Sequence, residues 1–372
     1  MAKILTALGV ISGTSMDGVD VALVKTDGRA IEEIGPAATL PLAEADRALL
    51  RRAMAAARRD GGARADPAIA EAEEAVTRAH EAAIRRYLSE AGMPLAMLDI
   101  VGFHGQTVFH APERGVTLQL GDGEGLARRL GRPVAWDFRS ADVAAGGEGA
   151  PLVPVYHQAL ATRLSRSLPV AFLNLGGVGN LTFVGEDGAL IAFDTGPANA
   201  PIDDLLSERL GKGYDEDGAL TARGAPRRDL VDGWLRHAYF ARPAPKSLDR
   251  DGFDLSAAKA LSTEDAAATL AAFSAAAVAR GAELFPVMPA LFVVCGGGRR
   301  NGGLMRLLAE ALAPAEVAPA EDFGLDGDAI EAQAFAFLAA RVEAGLPLTC
   351  PGTTGVRRPL PGGRVSRPAM AG

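Results

Sequence analysis

Apolar runs broken by short polar, glycine-bearing turns set the rhythm of the first forty residues. Residues 4–11, 19–26 and 31–40 each read as a strand, because each run is continuously or alternately apolar and ends at a turn signal. Two longer stretches with helical spacing follow, 44–59 and 66–91, the second opened by an Asp-Pro start signal. Residues 98–103 return to an apolar strand that ends in His104-Gly105-Gln106-Thr107. Residues 117–120 and 133–136 predict two short strands with a helix over 123–130 between them. A glycine-rich break at 146–149 precedes a helix beginning near Pro151.

The same rhythm then returns. Residues 170–175 are apolar, 176–180 turn, 181–184 are apolar, Glu186-Asp187-Gly188 turns again, and 189–193 close the pattern. Two β-β-β-α units in one chain predict two similar α/β lobes on mixed sheets. Helices are expected over 202–210, 227–237 and 262–284. An apolar strand at 291–295 runs into Gly296-Gly297-Gly298-Arg299-Arg300-Asn301 and a helix to Leu312, and 328–344 form the last helix. Residues 357–372, rich in Pro, Gly and Arg and lacking an apolar face, read as a disordered tail.

A length of 372 residues favours two lobes over one core. The net charge of −8 argues against a nucleic-acid or anionic-membrane surface while leaving room for a local phosphate pocket. Only Cys295 and Cys350 are present, too few for a disulfide framework, which points to a reducing compartment. The start, with Lys3 before an apolar run, looks like a short signal peptide but lacks a small-residue cleavage site. No apolar run approaches the roughly 18 residues of a membrane span. The expectation is a cytoplasmic protein without zinc, since His80, His157 and His237 have no metal-ligand spacing.

Four turns follow apolar strands: 13–20 (GTSMDGVD), 176–180 (GGVGN), 194–197 (DTGP) and 295–301 (CGGGRRN). Open α/β sheets place ligands at the carboxyl ends of their strands, so such turns can converge. The first offers backbone N–H groups and small hydroxyls to an anion. Its Asp17 and Asp20 would suit a phosphate only with a metal ion between them, which suggests a nucleotide triphosphate with Mg²⁺. An ordinary Asp-Gly hairpin turn is the alternative. Neither GxxxxGK[ST] nor a GxGxxG turn opening a helix after the first strand occurs, so Walker and dinucleotide sites are set aside.

The blocks GVISGTSMDGVD, FHGQTVFH, LQLGDG, DFRSADVAAGGEGAPLVP, NLGGVGNLT, FDTGPAN, PAPKS, CGGGRRN and GLDGDAIEAQAFAFLA lie co-linearly from residue 9 to 339. In order and spacing the chain resembles the anhydro-N-acetylmuramic acid kinase family from about residue 4 to 355. The resemblance implies an α/β, two-lobe actin-like ATPase fold, the ribonuclease H-like duplicated β-β-β-α plan, with an interlobe cleft. The lobes expected are 1–135 with about 328–356, and 136–327.

It also implies an ATP-dependent reaction in cell-wall recycling, in which a 1,6-anhydro sugar is opened by water and phosphorylated on its 6-oxygen. Asp194 is then the base for water; a turn aspartate bonding its own backbone is the plainer reading. ATP would meet Gly13, Thr14, Ser15, Met16, Asp17, Gly18, Val19 and Asp20, then Gly176 and Gly177, then Gly296, Gly297, Gly298 and Asn301. His104, Gln106 and Thr107 would face the sugar. Arg139 would meet a substrate carboxylate, unless it pairs internally with Asp137. Lys246 would bind an anion, with simple solvent exposure as the alternative. Asp17, preferred over Asp20, and Glu331 would serve Mg²⁺; a plain helix-face glutamate competes for Glu331, and Asp326 and Asp328 could cap that helix.

A homodimer is what the family implies. Ala198, Pro201 and the loop 248–251 depart from its usual pattern. Two rivals stay open: a kinase for another sugar on the same scaffold, and a non-metabolic actin-like ATPase.

Overall fold

The computed structural model describes residues 3–13, 15–248 and 252–368. Its opening runs are strands: β1 (Leu5–Ser12), β2 (Gly18–Thr26) and β3 (Ile31–Pro41) form an antiparallel meander. β4 (Ile100–Ala111) lies parallel to β1 and folds back as β5 (Val116–Leu120), and β6 (Val134–Trp136) adds parallel to β4. The second series repeats this plan. β7 (Val170–Leu175), β8 (Val178–Val184) and β9 (Leu190–Pro197) make an antiparallel meander. β10 (Leu291–Cys295) lies parallel to β7, and β11 (Glu316–Pro319) lies parallel to β10.

The strand orders β3-β2-β1-β4-β6 and β9-β8-β7-β10-β11 coincide, with the same sense at every pairing. This is the duplicated ribonuclease H-like plan of actin-like ATPases, an α/β fold, and the repeat expected from the turns is present strand for strand. One compact unit carries the chain up to Leu160 and again from Ala329; the other is Ala161–Asp328. The first unit therefore runs past the boundary expected near residue 135.

In the first unit one sheet face carries Leu8, Val10, Val21 and Leu23 into a core with Leu50, Ile69 and Ile84 of the helices Glu44–Arg59 and Pro67–Glu90. Asp66 caps the second of these by accepting from the Ala68 N–H, with Pro67 in its first turn. Side chains alternate along a strand, so Gly9 faces the other way. That face is covered by the helix Ile330–Glu343. A Cβ at Gly9 would lie 1.9 Å from the Ala332 carbonyl oxygen, and one at Gly102 would lie 2.0 Å from that of Phe335. Glycine at both positions sets how closely the helix rests on β1 and β4, and so where its first-turn residue Glu331 stands.

The chain then forms β12 (Pro347–Thr349), β13 (Leu360–Pro361) and β14 (Arg364–Ser366). β14 pairs antiparallel with β6, Arg364 meets Asp137 at 2.9 Å, and the Trp136 indole N–H donates to Ser366 Oγ at 3.0 Å. The disordered tail expected from residue 357 is thus corrected for residues 357–368. An edge strand needs backbone pairing rather than an apolar stripe, which is why composition misread it.

In the second unit the alanine-rich helix Thr263–Ala282, capped by Ser262, packs on the sheet through Leu270, Ala271 and Val278. Pro201 falls in the first turn of the helix Ala200–Leu210, where its missing N–H is tolerated. Among the described residues, no helix is long and apolar enough to cross a membrane.

Candidate active site

The second unit supplies one well-held carboxylate. Asp194 lies inside β9, not after it, opposite Asn180 of β8, at a bulge that leaves Thr195 as the extra residue. The Asn180 side-chain amide donates to Asp194 Oδ1 at 2.9 Å, and the Leu248 N–H donates to Oδ2 at 2.8 Å. Its backbone is also fixed: the Asp194 N–H donates to the Lys246 carbonyl at 2.9 Å, and the Tyr239 hydroxyl donates to the Asp194 carbonyl oxygen. Burial and the Asp194 charge push the Tyr239 phenol up, so it stays a donor. The Asn180 amide and the Leu248 N–H are neutral donors that fix the orientation of this carboxylate.

The first unit gathers a network around the end of β4. His104 is the extra residue of a bulge against β1, because Val10 pairs with Phe103 and Ile11 with Gly105. The Arg139 Nε–H donates to His104 Nε2 at 3.0 Å, and its Nη1 donates to the Gly149 carbonyl at 2.8 Å. The accepting nitrogen makes this imidazole neutral, and burial followed by the Arg139 charge holds its pKa well below the usual value. Burial lowers Arg139 to about 10, opposed by the charges of Glu331 and Asp142, so the guanidinium stays charged. Asp142 accepts from the Gly149 N–H and the Thr354 hydroxyl, each at 2.7 Å. Glu331 is open to solvent yet crowded by protein, and that crowding, then the Asp20 charge, raises its carboxyl, with Arg139 pulling the other way. Beside this network lies a cavity of about 410 Å³ lined by His104, Gln119, Asp137 and Ser140.

A family profile described as anhydro-N-acetylmuramic acid kinase matches residues 5–366. A relative of that name from Rhodopseudomonas palustris (strain BisB18) is 50% identical over 368 residues, covering 98% of this chain and 100% of its own. The chain belongs to the anhydro-N-acetylmuramic acid kinase family. Another member, from Rhodospirillum rubrum, is 51% identical over 358 residues, 96% of this chain and 93% of its own. Membership makes the protein a kinase, a phosphotransferase with an alcohol acceptor.

Among solved structures, component A of (R)-2-hydroxyglutaryl-CoA dehydratase from Acidaminococcus fermentans aligns with a TM-score of 0.48 at 12% identity. That match spans 90% of this chain and 99% of its own. A ROK family glucokinase from Streptomyces griseus in complex with glucose and AMPPNP aligns at 0.38 and 18%, over 90% and 99%. Likenesses this slight add nothing to the strand-order argument.

Several residues expected of an anhydro-N-acetylmuramic acid kinase sit differently from the sequence reading. His104-Gly105-Gln106-Thr107 lies within β4 rather than after it. Gln106 is fully buried, and its amide donates to the Gly13 carbonyl at 3.1 Å, so it braces the first turn instead of facing the sugar. Lys246 is 4% exposed, 4.6 Å above the Tyr239 ring, and donates to the Tyr239 carbonyl at 3.3 Å. It is a packed cation rather than an exposed anion ligand, and burial lowers its pKa. Asn301 is 3% exposed and caps the helix Gly302–Leu312, accepting from the Leu304 N–H at 2.9 Å, which removes it from nucleotide contact. Asp20 rather than Asp17 carries the charge that bears on Glu331. Asp137 pairs with Arg364, which leaves Arg139 out of the internal pair weighed for it.

The glycines of the turns also divide. Among the described residues an added Cβ at Gly297 meets nothing within 4 Å, and at Gly13, Gly176 and Gly177 it makes only ordinary contacts at 3.5–3.8 Å, so these four are not packing glycines. Gly18, Gly296 and Gly298 are pressed against Leu40, Asn174 and Leu175, which makes them packing residues. Met16 takes a left-handed φ of 58° and its N–H closes the turn onto the Gly13 carbonyl at 3.1 Å, while Val19 is core. Ser15 and Asp17 are exposed in that turn, whereas Thr14 and residues 249–251 lie outside the described residues. Sequence reasoning missed Asn180 as a partner of Asp194, although both lie seven positions from Asp187 in the turn between them. Tyr239 had no comparable signal.

Proposed function

We propose that this kinase opens 1,6-anhydro-N-acetylmuramic acid with water and phosphorylates it from ATP, giving N-acetylmuramic acid 6-phosphate and ADP in cytoplasmic recycling of peptidoglycan. Asp194 removes a proton from water as its oxygen bonds to the anomeric carbon. The bond from that carbon to the bridging oxygen breaks, and the freed 6-oxygen attacks the γ-phosphorus while the bond to ADP breaks. The observation that carries the reading is the grip on Asp194, whose two oxygens accept from Asn180 and the Leu248 N–H. A base for water needs this defined orientation more than an unusual basicity.

The uncrowded backbone at Gly13, Gly176, Gly177 and Gly297 suits the phosphates. Asp20 and Glu331 are the carboxylates that fit Mg²⁺: crowding by protein and then the Asp20 charge raise Glu331, and a hydrated divalent cation relieves the repulsion between the two acids. Mg²⁺, when bound, supplies charge neutralisation at the transferring phosphate. Arg139, held by His104 and Gly149, is oriented for a substrate carboxylate, and Thr107 is the hydroxyl of β4 that meets the sugar. Family membership disfavours the non-metabolic actin-like reading.

The test is turnover of the anhydro sugar with ATP in ¹⁸O-labelled water. One heavy oxygen should appear at the anomeric position and none in the transferred phosphate. Label absent from the sugar, or phosphate on an unopened bicycle, would end the proposal.

A further inference from the structure

The hairpin of β4 and β5 holds a chain of polar side chains that leads to Thr107, and the reaction as proposed uses none of its other members. Thr107 pairs with Gln119, Phe109 with Leu118 and His110 with Thr117, which leaves Val108 as an extra residue. In a regular strand, residues 107 and 110 would point to opposite faces. The bulge brings both to the face that carries Thr117 and Gln119. The contacts run in series: His110 Nε2 to the Glu148 carbonyl at 2.9 Å, His110 Nδ1 to Thr117 Oγ1 at 2.9 Å, Gln119 Nε2 to Thr117 Oγ1 at 2.8 Å and to Thr107 Oγ1 at 3.2 Å.

One end fixes the direction of the rest. A carbonyl oxygen only accepts, so His110 Nε2 carries hydrogen. Burial and the Arg139 charge keep this imidazole neutral, which leaves Nδ1 as an acceptor for the Thr117 hydroxyl. Thr117 Oγ1 then accepts from the Gln119 amide, whose second hydrogen goes to Thr107 Oγ1. The hydrogen of Thr107 itself finds no acceptor among the described residues. We infer that His110, Thr117 and Gln119 are positioning residues that hold the half-buried Thr107 hydroxyl as a hydrogen-bond donor to an acceptor oxygen of the sugar, an ether or carbonyl oxygen. This rests on the reading of Thr107 as a sugar contact.

The experiment compares the full-length enzyme with Thr107→Val, Gln119→Glu and the double variant, using ATP and 1,6-anhydro-N-acetylmuramic acid, with melting temperatures alongside. Glutamate keeps the size of Gln119 but offers an acceptor, which recaptures the Thr107 hydrogen. Each single variant should raise KM for the sugar about tenfold, the size of one lost hydrogen bond. The double variant should be no worse than Thr107→Val, because both act through one hydroxyl. Losses that multiply in the double variant, or a wild-type KM in Gln119→Glu, overturn the relay while Thr107 stays a contact. An unchanged KM and kcat in Thr107→Val overturn the contact reading and the relay with it. Should Gln119→Glu fail to fold, Gln119→Met removes the donor without adding charge, and the same non-additivity is required.

Discussion

The two units place a carboxylate at one junction of one topology and surround it differently. Asp20 is the third residue of β2 and pairs across to Thr39 of β3; Asn180 is the third residue of β8 and pairs across to Asp194 of β9. In both pairs a neutral side chain donates to the acid, Thr39 to Asp20 at 2.6 Å and Asn180 to Asp194 at 2.9 Å. The acid sits on the second strand in one unit and on the third in the other. Their further surroundings decide what each can do. Asp20 bears on a second carboxylate, Glu331, and such a pair favours a cation or a shared proton. Asp194 receives a backbone N–H on its other oxygen, and a carboxylate with neutral donors on both oxygens is held in one orientation. The duplicated scaffold fixes where the acids stand, and the neighbours set their chemistry.

The largest expected effect breaks the pair apart by removing each charge in turn. Asp194→Asn should lower kcat by about a thousandfold, within the usual range for a lost general base, while ATP binding by calorimetry stays intact. No concentration of Mg²⁺ should restore it. Asp20→Asn should instead lose activity that returns as Mg²⁺ is raised. A Mg²⁺ titration of both variants decides; rescue of Asp194→Asn, or an Asp20→Asn loss that Mg²⁺ leaves untouched, would mean the two acids have been assigned the wrong way round.

The next effect follows from the raised Glu331 carboxyl. A carboxyl raised by the fold favours the protonated form. Its stability contribution is therefore present at low pH and lost as pH rises from the ordinary value of 4.5 through the raised one. On the proposed role of Glu331, proton and Mg²⁺ compete for the same group, so the Mg²⁺ needed for half-maximal rate should climb as pH falls. Asp20→Asn removes the repulsion and leaves the crowding by protein, so the climb should persist but become shallower. An equally steep pH dependence in the variant would show that Asp20 does not act on Glu331.

Much of this arrangement was legible in the chain, and the exceptions have physical reasons. Matching strand, turn, strand, turn, strand patterns exposed the duplication, because buried strands and their turns are local features. The glycine-bearing turns stood out for the same reason, whereas Asp194 was singled out as a base through the family resemblance. Asp20 could not be ranked over Asp17, because the choice depends on Glu331, which the helix Ile330–Glu343 brings in from more than 300 residues away. Lys246 read as an anion ligand or a solvent-exposed cation because its burial depends on the Tyr239 ring, and Asn301 read as a nucleotide contact because capping depends on where the next helix begins. β14 escaped notice because its order comes from β6 and the Asp137 side chain, not from its own composition.

The smallest expected effect sharpens the comparison at Asn180. Its amide donates to Asp194, and a hydrogen bond to a charged group contributes about 1.5 kcal/mol. Removing it makes protonation of the base easier, so the acid limb of the kcat/KM profile should move to higher pH in Asn180→Ala, by about one unit. The alkaline plateau should fall only a few-fold, since the Leu248 N–H still holds the other oxygen. Asn180→Asp goes further by rebuilding in the second unit the acid–acid contact of the first. Two carboxylates at this distance share a proton, so its acid limb should move beyond that of Asn180→Ala. A profile in which both variants lower the plateau and leave the limb in place would make Asn180 a packing residue of the hairpin, and the contrast between the two carboxylates would then no longer rest on Asn180.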